Sequence, residues 1–152
     1  MHASSTPSAA AEIAALAEAL RPAILRLSRN LRRQSQSLGL SPLDSMILGA
    51  LRQIDGAGVS ELADLEQISR PTMSAHVKRL EAAGYIARLA PDADDKRRVG
   101  LTLTPTGRKA LEAVRRRRND WLGQKLAALS PEAREALAAA IGPLSQLAGE
   151  RS

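Results

Sequence analysis

The stretch ISRPTMSAHVKRLEAAGYIARLAPDADDKRRVGLTLTPTG, residues 68–107, decides the fold. It opens with small polar residues around a proline, continues into a helix-favouring run and stops at Gly84. Two short apolar runs, at 85–90 and 99–103, then enclose the charged sequence PDADDKRR. Because so many charges cannot be buried, this loop must lie at an exposed tip. The stretch therefore predicts a helix followed by a β-hairpin.

The predicted helix at 71–80 has two different faces. At about 100° per residue, Met73, Val77 and Leu80 form one apolar stripe. A second stripe, rotated by roughly 120°, carries short residues first and cations further along: Thr72, Ala75, His76 and Arg79. Short side chains permit close approach to DNA, and hydroxyl, imidazole and guanidinium groups can reach base edges or phosphates in the major groove. An ordinary amphipathic surface helix has the same pattern, so the neighbouring segments have to decide between the two interpretations.

Those neighbouring segments predict a winged helix-turn-helix at 41–104. Ser41-Pro42-Leu43-Asp44 is a capping sequence for one helix, and the glycines at 56 and 58 end that helix. Ser60 is predicted to cap a short helix that ends near residue 67, a few residues before the helix at 71–80. The hairpin then forms the wing. The predicted fold class is mainly α with a small two- to three-stranded antiparallel wing, joined to terminal helices.

The two ends of the chain predict long helices that pack against other helices, after a disordered tail at 1–8. From residue 9 onward, apolar residues recur at steps of three and four: Ile13, Leu16, Leu20, Ile24, Leu27 and Leu31. This narrow, near-heptad stripe is typical of a seam between helices. Two further helices are predicted after the hairpin, one starting at Thr104-Pro105 and one capped by Ser130. Prolines at 22 and 143 are expected to kink or interrupt the outer helices.

Composition narrows the function classes. The formal net charge is +6 and the isoelectric point about 10.7, which favours anionic partners such as nucleic acid or membrane, or else a solvated arginine-rich surface. The absence of cysteine excludes disulfides, zinc–cysteine sites and thiol redox sensing. No apolar run approaches the roughly 18 residues of a membrane span, and Glu12 and Glu18 interrupt the only candidate signal sequence. We therefore expect a cytoplasmic protein without a membrane partner.

Catalytic and metal-binding patterns are missing from the sequence. The two histidines, His2 and His76, form no pair, and there is no nucleophile elbow or dinucleotide-binding fingerprint. Aspartates at 92, 94 and 95 would attract a hard cation, but their loop lacks the further oxygen ligands and the spacing of a calcium site. We expect no enzyme, no cofactor and no metal.

The sequences LEAAGYIAR (80–88) and PDADDKRRVGLTLTPTG (91–107) resemble the MarR family of bacterial transcriptional regulators. The wing of that family resembles D-x-R-D-x-R, followed by alternating apolar residues, L-T and a glycine. Asp92, Asp95 and Arg97 fill three of the four marked positions, whereas Asp94 stands where the family usually has arginine. The run ends in the expected L-T and glycine. In element order and length, the resemblance extends from about residue 13 to residue 147.

The resemblance implies a homodimer whose terminal helices, at 9–38 and 105–150, interlock. The implied dimerisation residues are large and apolar: Ile13, Leu16, Leu20, Trp121, Leu122, Leu137, Ile141 and Leu144. The two winged helices would lie on successive major grooves of a pseudo-palindromic double-stranded DNA, with half-site centres about 10 bp apart. The DNA contacts implied for the reading helix are those of Arg70, Thr72, Ser74, Ala75, His76, Lys78 and Arg79. Those implied for the wing are Asp95, Lys96, Arg97 and Arg98, with Arg97 entering the minor groove and held by Asp95.

The resemblance also implies regulation by a small-molecule effector. Family members are usually repressors that release DNA when such a molecule binds between the dimer helices and the winged helix. Here the pocket would be formed by residues from about 27 to 51 with the start of the helix at 105–129. The alternative function is a winged helix that binds an acidic protein partner instead of DNA.

The four arginines at 115–118 cannot all lie on one helix face. We therefore expect solvated side chains and one or two ion pairs across the dimer, not DNA contacts.

Overall fold

The computed structural model describes residues 8–91 and 99–149. Within them the chain forms six helices and two strands: α1 (Ala9–Gln36), α2 (Pro42–Gln53), α3 (Val59–Glu66), α4 (Arg70–Ala82), β1 (Ile86–Arg88), β2 (Leu101–Leu103), α5 (Pro105–Ala127) and α6 (Pro131–Ala148). This order confirms the predicted fold class, mainly helical with a small antiparallel sheet. The predicted loop residues Asp92, Asp94, Asp95, Lys96, Arg97 and Arg98 lie outside the described part.

The sheet consists of the two hairpin strands, paired antiparallel with Ile86 opposite Leu103 and Arg88 opposite Leu101. No third strand occurs in the described residues, although the loop before α3 takes its place. The Gly56 N–H donates to the Leu101 carbonyl at 2.9 Å, and the Leu101 N–H donates to the Ala57 carbonyl at 3.0 Å. The base of the hairpin is therefore fixed to the helical layer.

Three helices, α2, α5 and α6, begin where a hydroxyl residue directly precedes a proline, as the sequence predicts. The hydroxyls of Ser41, Ser69, Thr104 and Ser130 each accept a hydrogen bond from the backbone N–H three residues later. The start of α3 is different, and the predicted cap at Ser60 is wrong. The cap position is held by a glycine without a side-chain bond, and Ser60 lies inside the first turn. The physical reason is that residues 56 and 57 pair with β2. The chain is positioned by this pairing, and α3 begins directly after it.

Prolines do not divide the outer helices. α1 continues through Pro22 and α6 continues through Pro143, so the predicted restart and break are wrong. A proline removes one backbone hydrogen bond, and the turns on either side supply enough bonds to continue the helix. The bend predicted at each proline stays a prediction.

The core belongs to the winged helix and the first half of α5. It is aliphatic, apart from one methionine, and unites α2, α3, α4, both strands and α5: Leu40, Ile47, Leu48, Ala50, Leu51, Ala57, Leu62, Ala63, Met73, Val77, Leu80, Ile86, Leu101, Leu103, Leu111 and Val114. Two glycines permit close packing around it. A side chain at Gly100 would lie 2.6 Å from the Gly56 carbonyl oxygen, and one at Gly107 would collide with the Tyr85 carbonyl oxygen. Glycine at these positions therefore lets the hairpin and the start of α5 approach the rest of the domain.

The outer helices expose their apolar residues. α6 contains no buried residue, and in α1 only Ser35 is buried. The residues on α6 that are implied for dimerisation, Leu137, Ile141 and Leu144, are 45%, 64% and 37% exposed within the single chain. No element of the described chain covers this face, so its burial against a second copy stays a prediction.

Candidate nucleic-acid interface

Helix α4 has one buried and one solvent-facing side, as its sequence predicts. Met73 and Val77 are fully buried and Leu80 is 2% exposed, which fixes the rotation of the helix on the domain. The predicted reading residues lie on the remaining surface. Arg70, Thr72, Ala75, Lys78 and Arg79 are exposed, while Ser74 and His76 are half-buried. All the reading-helix candidates thus lie outside the buried stripe of α4, with cations near both ends of the helix.

The first turn of α4 is held by its own side chains. The Ser69 hydroxyl lies 2.7 Å from the Thr72 hydroxyl and accepts the Thr72 N–H at 3.3 Å. These residues are exposed, so the N-terminus of α4 is accessible from solvent. A helix N-terminus favours an anion such as a phosphate.

A buried carboxylate connects α2 to the exposed face of α4. Asp44 is 4% exposed, and its Oδ2 accepts the Ser41 backbone N–H at 3.1 Å to complete the capping box. Its Oδ1 accepts a hydrogen bond of 2.5 Å from Arg79 Nη2 and lies 3.0 Å from His76 Nδ1. Arg79 Nη2 and His76 Nδ1 are themselves 2.8 Å apart. With a proton on Nδ1, His76 donates to Asp44; without one, Nδ1 accepts from Arg79.

No sequence pattern predicted this cluster. The pattern around Ser41 predicted Asp44 only as a capping residue, which is correct for one of the two carboxylate oxygens. The partners of the second oxygen are 32 and 35 residues away in sequence. Their contact depends on the packing angle between α2 and α4, which no local pattern specifies.

The electrostatics of the cluster favour an ionised carboxylate. Burial by itself would raise the pKa of Asp44, but hydrogen bonds from His76 and Ser41 and the charge of Arg79 together hold the pKa below its ordinary value. Asp44 is therefore an anion beneath a cationic surface at neutral pH. Beside it, Ala75, His76 and Arg79 line a shallow depression of about 230 Å³.

The hairpin lies beside the end of α4. Arg88 Nε donates to Glu81 Oε2 at 3.0 Å, which joins β1 to the last turn of α4. Residues 92–98 of the predicted wing loop lie outside the described residues, so the predicted roles of Asp95, Lys96, Arg97 and Arg98 stay predictions.

The residues predicted for dimerisation lie on three helices, α1, α5 and α6, and none of them is buried in the single chain. Ile13 and Leu16 on α1 are 69% and 65% exposed, and Ile141 on α6 is nearly as open. Leu20, Trp121 and Leu122 are half-buried in the single chain.

The arginine run at 115–118 is split between different surroundings, as expected from its helical position. Arg115 pairs with Glu112 at 3.3 Å on the surface. Arg118 instead turns towards α1, where its Nε donates to the Leu31 carbonyl at 3.3 Å. Burial and, to a smaller extent, the charge of Arg32 lower the pKa of Arg118.

Two cavities adjoin the winged helix, in the region where the sequence predicts an effector pocket. One, of about 400 Å³, lies between α1, α2 and α5 and is mainly apolar with two arginines: Ile24, Leu27, Ser28, Leu31, Arg32, Pro42, Met46 and Arg118. The middle of α5 contributes to it, not the start as predicted. The start of α5 lines a second cavity of about 360 Å³, formed by Leu51, Arg52, Asp55, Leu103, Arg108, Leu111 and Glu112. The predicted pocket thus corresponds to two separate spaces in the single chain.

The described residues contain neither a cluster of metal ligands nor a helix that could span a membrane. Across 8–91 and 99–149, histidine and acidic side chains nowhere gather in threes in a way that would hold a metal ion. None of the helices found in those two segments has the length and hydropathy to cross a bilayer.

Comparison with known proteins identifies the family. The sequence profile described as the MarR family matches residues 38–98. An HTH-type transcriptional regulator of Mycobacterium tuberculosis is 33% identical over 140 residues, which cover 90% of this chain and 95% of the relative. The chain belongs to the MarR family of transcriptional regulators. A second mycobacterial relative, from Mycobacterium leprae, is 30% identical over the same length.

Solved structures agree with this MarR-family membership. A transcriptional regulator from Pseudomonas aeruginosa is 31% identical with a TM-score of 0.79, and the match covers 93% of this chain and 98% of that one. A mutant of MepR from Staphylococcus aureus, solved bound to an oligodeoxyribonucleotide, is 26% identical with a TM-score of 0.66. That match covers 86% of this chain and 96% of the MepR chain. The winged-helix fold class is therefore confirmed over most of the MarR-family chain.

Proposed function

We propose that this MarR-family regulator is a homodimeric, sequence-specific DNA-binding repressor in which α4 reads the major groove. The observation that carries the proposal is the surface of α4, where short and cationic side chains stand above a fully buried apolar stripe. Small residues allow close approach to base pairs, and Arg79 and His76 offer hydrogen-bond donors at their edges. The net charge of +6 supports attraction to the phosphate backbone.

A second copy of the chain is the proposed cover for the outer helices. Exposed large apolar residues occur at both ends of the chain, on α1 and α6, whereas the winged-helix core is complete in one copy. Symmetric pairing of these surfaces would bury the same residues twice, which is typical of a two-fold interface. Two reading helices related by such an axis require half-sites about 10 bp apart.

Release of DNA by a small molecule is the proposed regulation. The cavity between α1, α2 and α5 joins helices of the proposed dimer region to the first turn of α2, since Leu27 and Arg118 lie on its wall opposite Pro42. A molecule in this space contacts both the dimer region and the winged helix. It could therefore change the separation of the two reading helices if it fits only one of two arrangements.

Selection of bound sequences from random double-stranded DNA tests this function. The expected result is a pseudo-palindrome with half-sites about 10 bp apart, bound at least roughly 10³-fold more tightly than unrelated DNA. A salt titration accompanies the selection, because purely electrostatic binding has the same salt slope for every sequence. Enrichment of no sequence, together with equal affinity for all duplexes, would overturn the proposal in favour of binding to an acidic protein partner.

A further inference from the structure

The carboxylate of Asp44 carries more interactions than a helix cap requires. A capping box needs one acceptor for the backbone N–H of the cap residue, and Asp44 Oδ2 fills that role for Ser41. The other oxygen points away from α2 and meets Arg79 and His76 of α4. Because the side chain of Asp44 is only 5% exposed, this oxygen has little access to water and depends on those two partners.

The Nη2 atom of Arg79 is bound to Asp44, whereas much of the Arg79 side chain is open to solvent. Its side chain remains 57% exposed while Nη2 is bound to Asp44, and the His76 side chain is 23% exposed. A free arginine loses much rotamer freedom when it binds a target. Arg79 has already lost part of that freedom, so a planar guanidinium with a fixed orientation faces the depression that it forms with Ala75 and His76.

We propose that Asp44 is a positioning residue for DNA reading, which orients Arg79 and His76 on α4 and thereby increases discrimination between sequences. The inference rests on the proposed function of α4 as the reading helix. Asp44 has two effects in this role. It fixes the direction of the guanidinium towards base edges, and its negative charge reduces the attraction of this part of α4 to any phosphate.

Both effects can be tested with a variant that lacks the negative charge of Asp44. In Asp44→Asn the amide oxygen still accepts the Ser41 N–H, so the cap survives while Arg79 is released. A good arginine contact to a base contributes most of the discrimination at that position, and we expect the ratio of specific to non-specific affinity to fall about tenfold. The released arginine can contact phosphate, so the slope of log affinity against log salt for non-specific DNA should steepen by about 0.9.

Matched variants separate positioning from stability. Ser41→Ala removes the hydroxyl that accepts the Asp44 N–H at 3.0 Å but leaves the carboxylate beside Arg79. It should lower the melting temperature without changing the discrimination ratio or the salt slope. Asp44→Glu, which keeps the charge, should retain the wild-type salt slope. Asp44→Gln repeats the neutral substitution with a residue that is itself favoured in capping boxes, in case Asp44→Asn folds poorly.

The experiment measures binding to a selected specific duplex and to an unrelated duplex at several salt concentrations. Wild-type protein without any sequence preference would refute the proposed function itself. Wild-type preference, with neutral Asp44 variants that keep both the ratio and the slope, would overturn this inference and leave the function intact. If both neutral variants unfold, the Nη protons of Arg79 in the wild-type NMR spectrum decide. Separate, slowly exchanging Nη signals agree with a held guanidinium, whereas one averaged signal contradicts it.

Discussion

Substitution of Leu16 by aspartate tests whether α1 is part of an interface between two copies. Leu16 is 65% exposed in the single chain. Complete burial of a leucine contributes about 1.5–3 kcal/mol, so covering its exposed part contributes about 1–2 kcal/mol. The residue occurs twice in a two-fold dimer, which gives about 2–4 kcal/mol. Leu16→Asp removes this contribution and adds an unpaired charge to the interface.

The dimer dissociation constant should therefore rise at least about 30- to 800-fold. Sedimentation equilibrium over a dilution series measures this change directly. Leu25→Asp is the matched control, because Leu25 is 53% exposed and lies nine residues away, about 180° around α1. Equal dimer stability in wild type and Leu16→Asp would refute the assignment of this face to the dimer, as would equal weakening by the two substitutions.

Three further predictions concern the wing, the acid stability and the packing at α5. Arg97→Ala should weaken specific DNA binding by about 1–3 kcal/mol in a gel-shift titration; unchanged affinity would remove the wing from the mechanism. The pKa of Asp44 is lowered on folding, so its contribution to stability is complete above its ordinary value of 3.8 and is lost as the pH falls below that value. Urea unfolding across this range should show a smaller acid-induced loss for Asp44→Asn than for wild type, and parallel curves would contradict the assignment. Gly107→Ala places a methyl group against the Tyr85 carbonyl and should destabilise the fold by about 1–3 kcal/mol. The control Gly123→Ala meets open space on α5 and should stabilise it by about 0.5–1 kcal/mol; similar effects of the two changes would exclude the proposed contact.

Local sequence signals predicted the local structure of the domain well. The sequence Ser41-Pro42-Leu43-Asp44 predicted both the start of α2 and its capping box, because all the participating groups lie within one turn. The apolar spacing of Met73, Val77 and Leu80 predicted the rotation of α4 for the same reason. Local signals were insufficient where a long-range contact determines the position of an element. Ser60 has the chemistry of a cap, but pairing of the preceding loop with β2 moved the start of α3 to Val59.

Only the solvent-facing residues of the candidate site could be predicted from the sequence. Helical spacing predicted that His76 and Arg79 lie on the side of α4 away from its buried stripe, but it did not indicate the buried anion behind them. That anion is contributed by another helix, and its position depends on the packing of α2 on α4. The exposed apolar residues of α6 have a similar explanation. Their spacing indicates a face that packs against another surface, but the spacing does not specify that surface, and its burial against a second copy stays a proposal.

In the proposed complex, two copies present their reading helices one turn of DNA apart, and this arrangement makes binding depend on the spacing of the half-sites. Affinity is measured for a selected operator and for the same operator with about five base pairs, half a helical turn, inserted between its half-sites. The insertion should reduce binding to the level of unrelated DNA, because the two half-sites then face opposite sides of the duplex. Equal affinity for both spacings would rule out the paired arrangement, since each chain would then read its half-site alone.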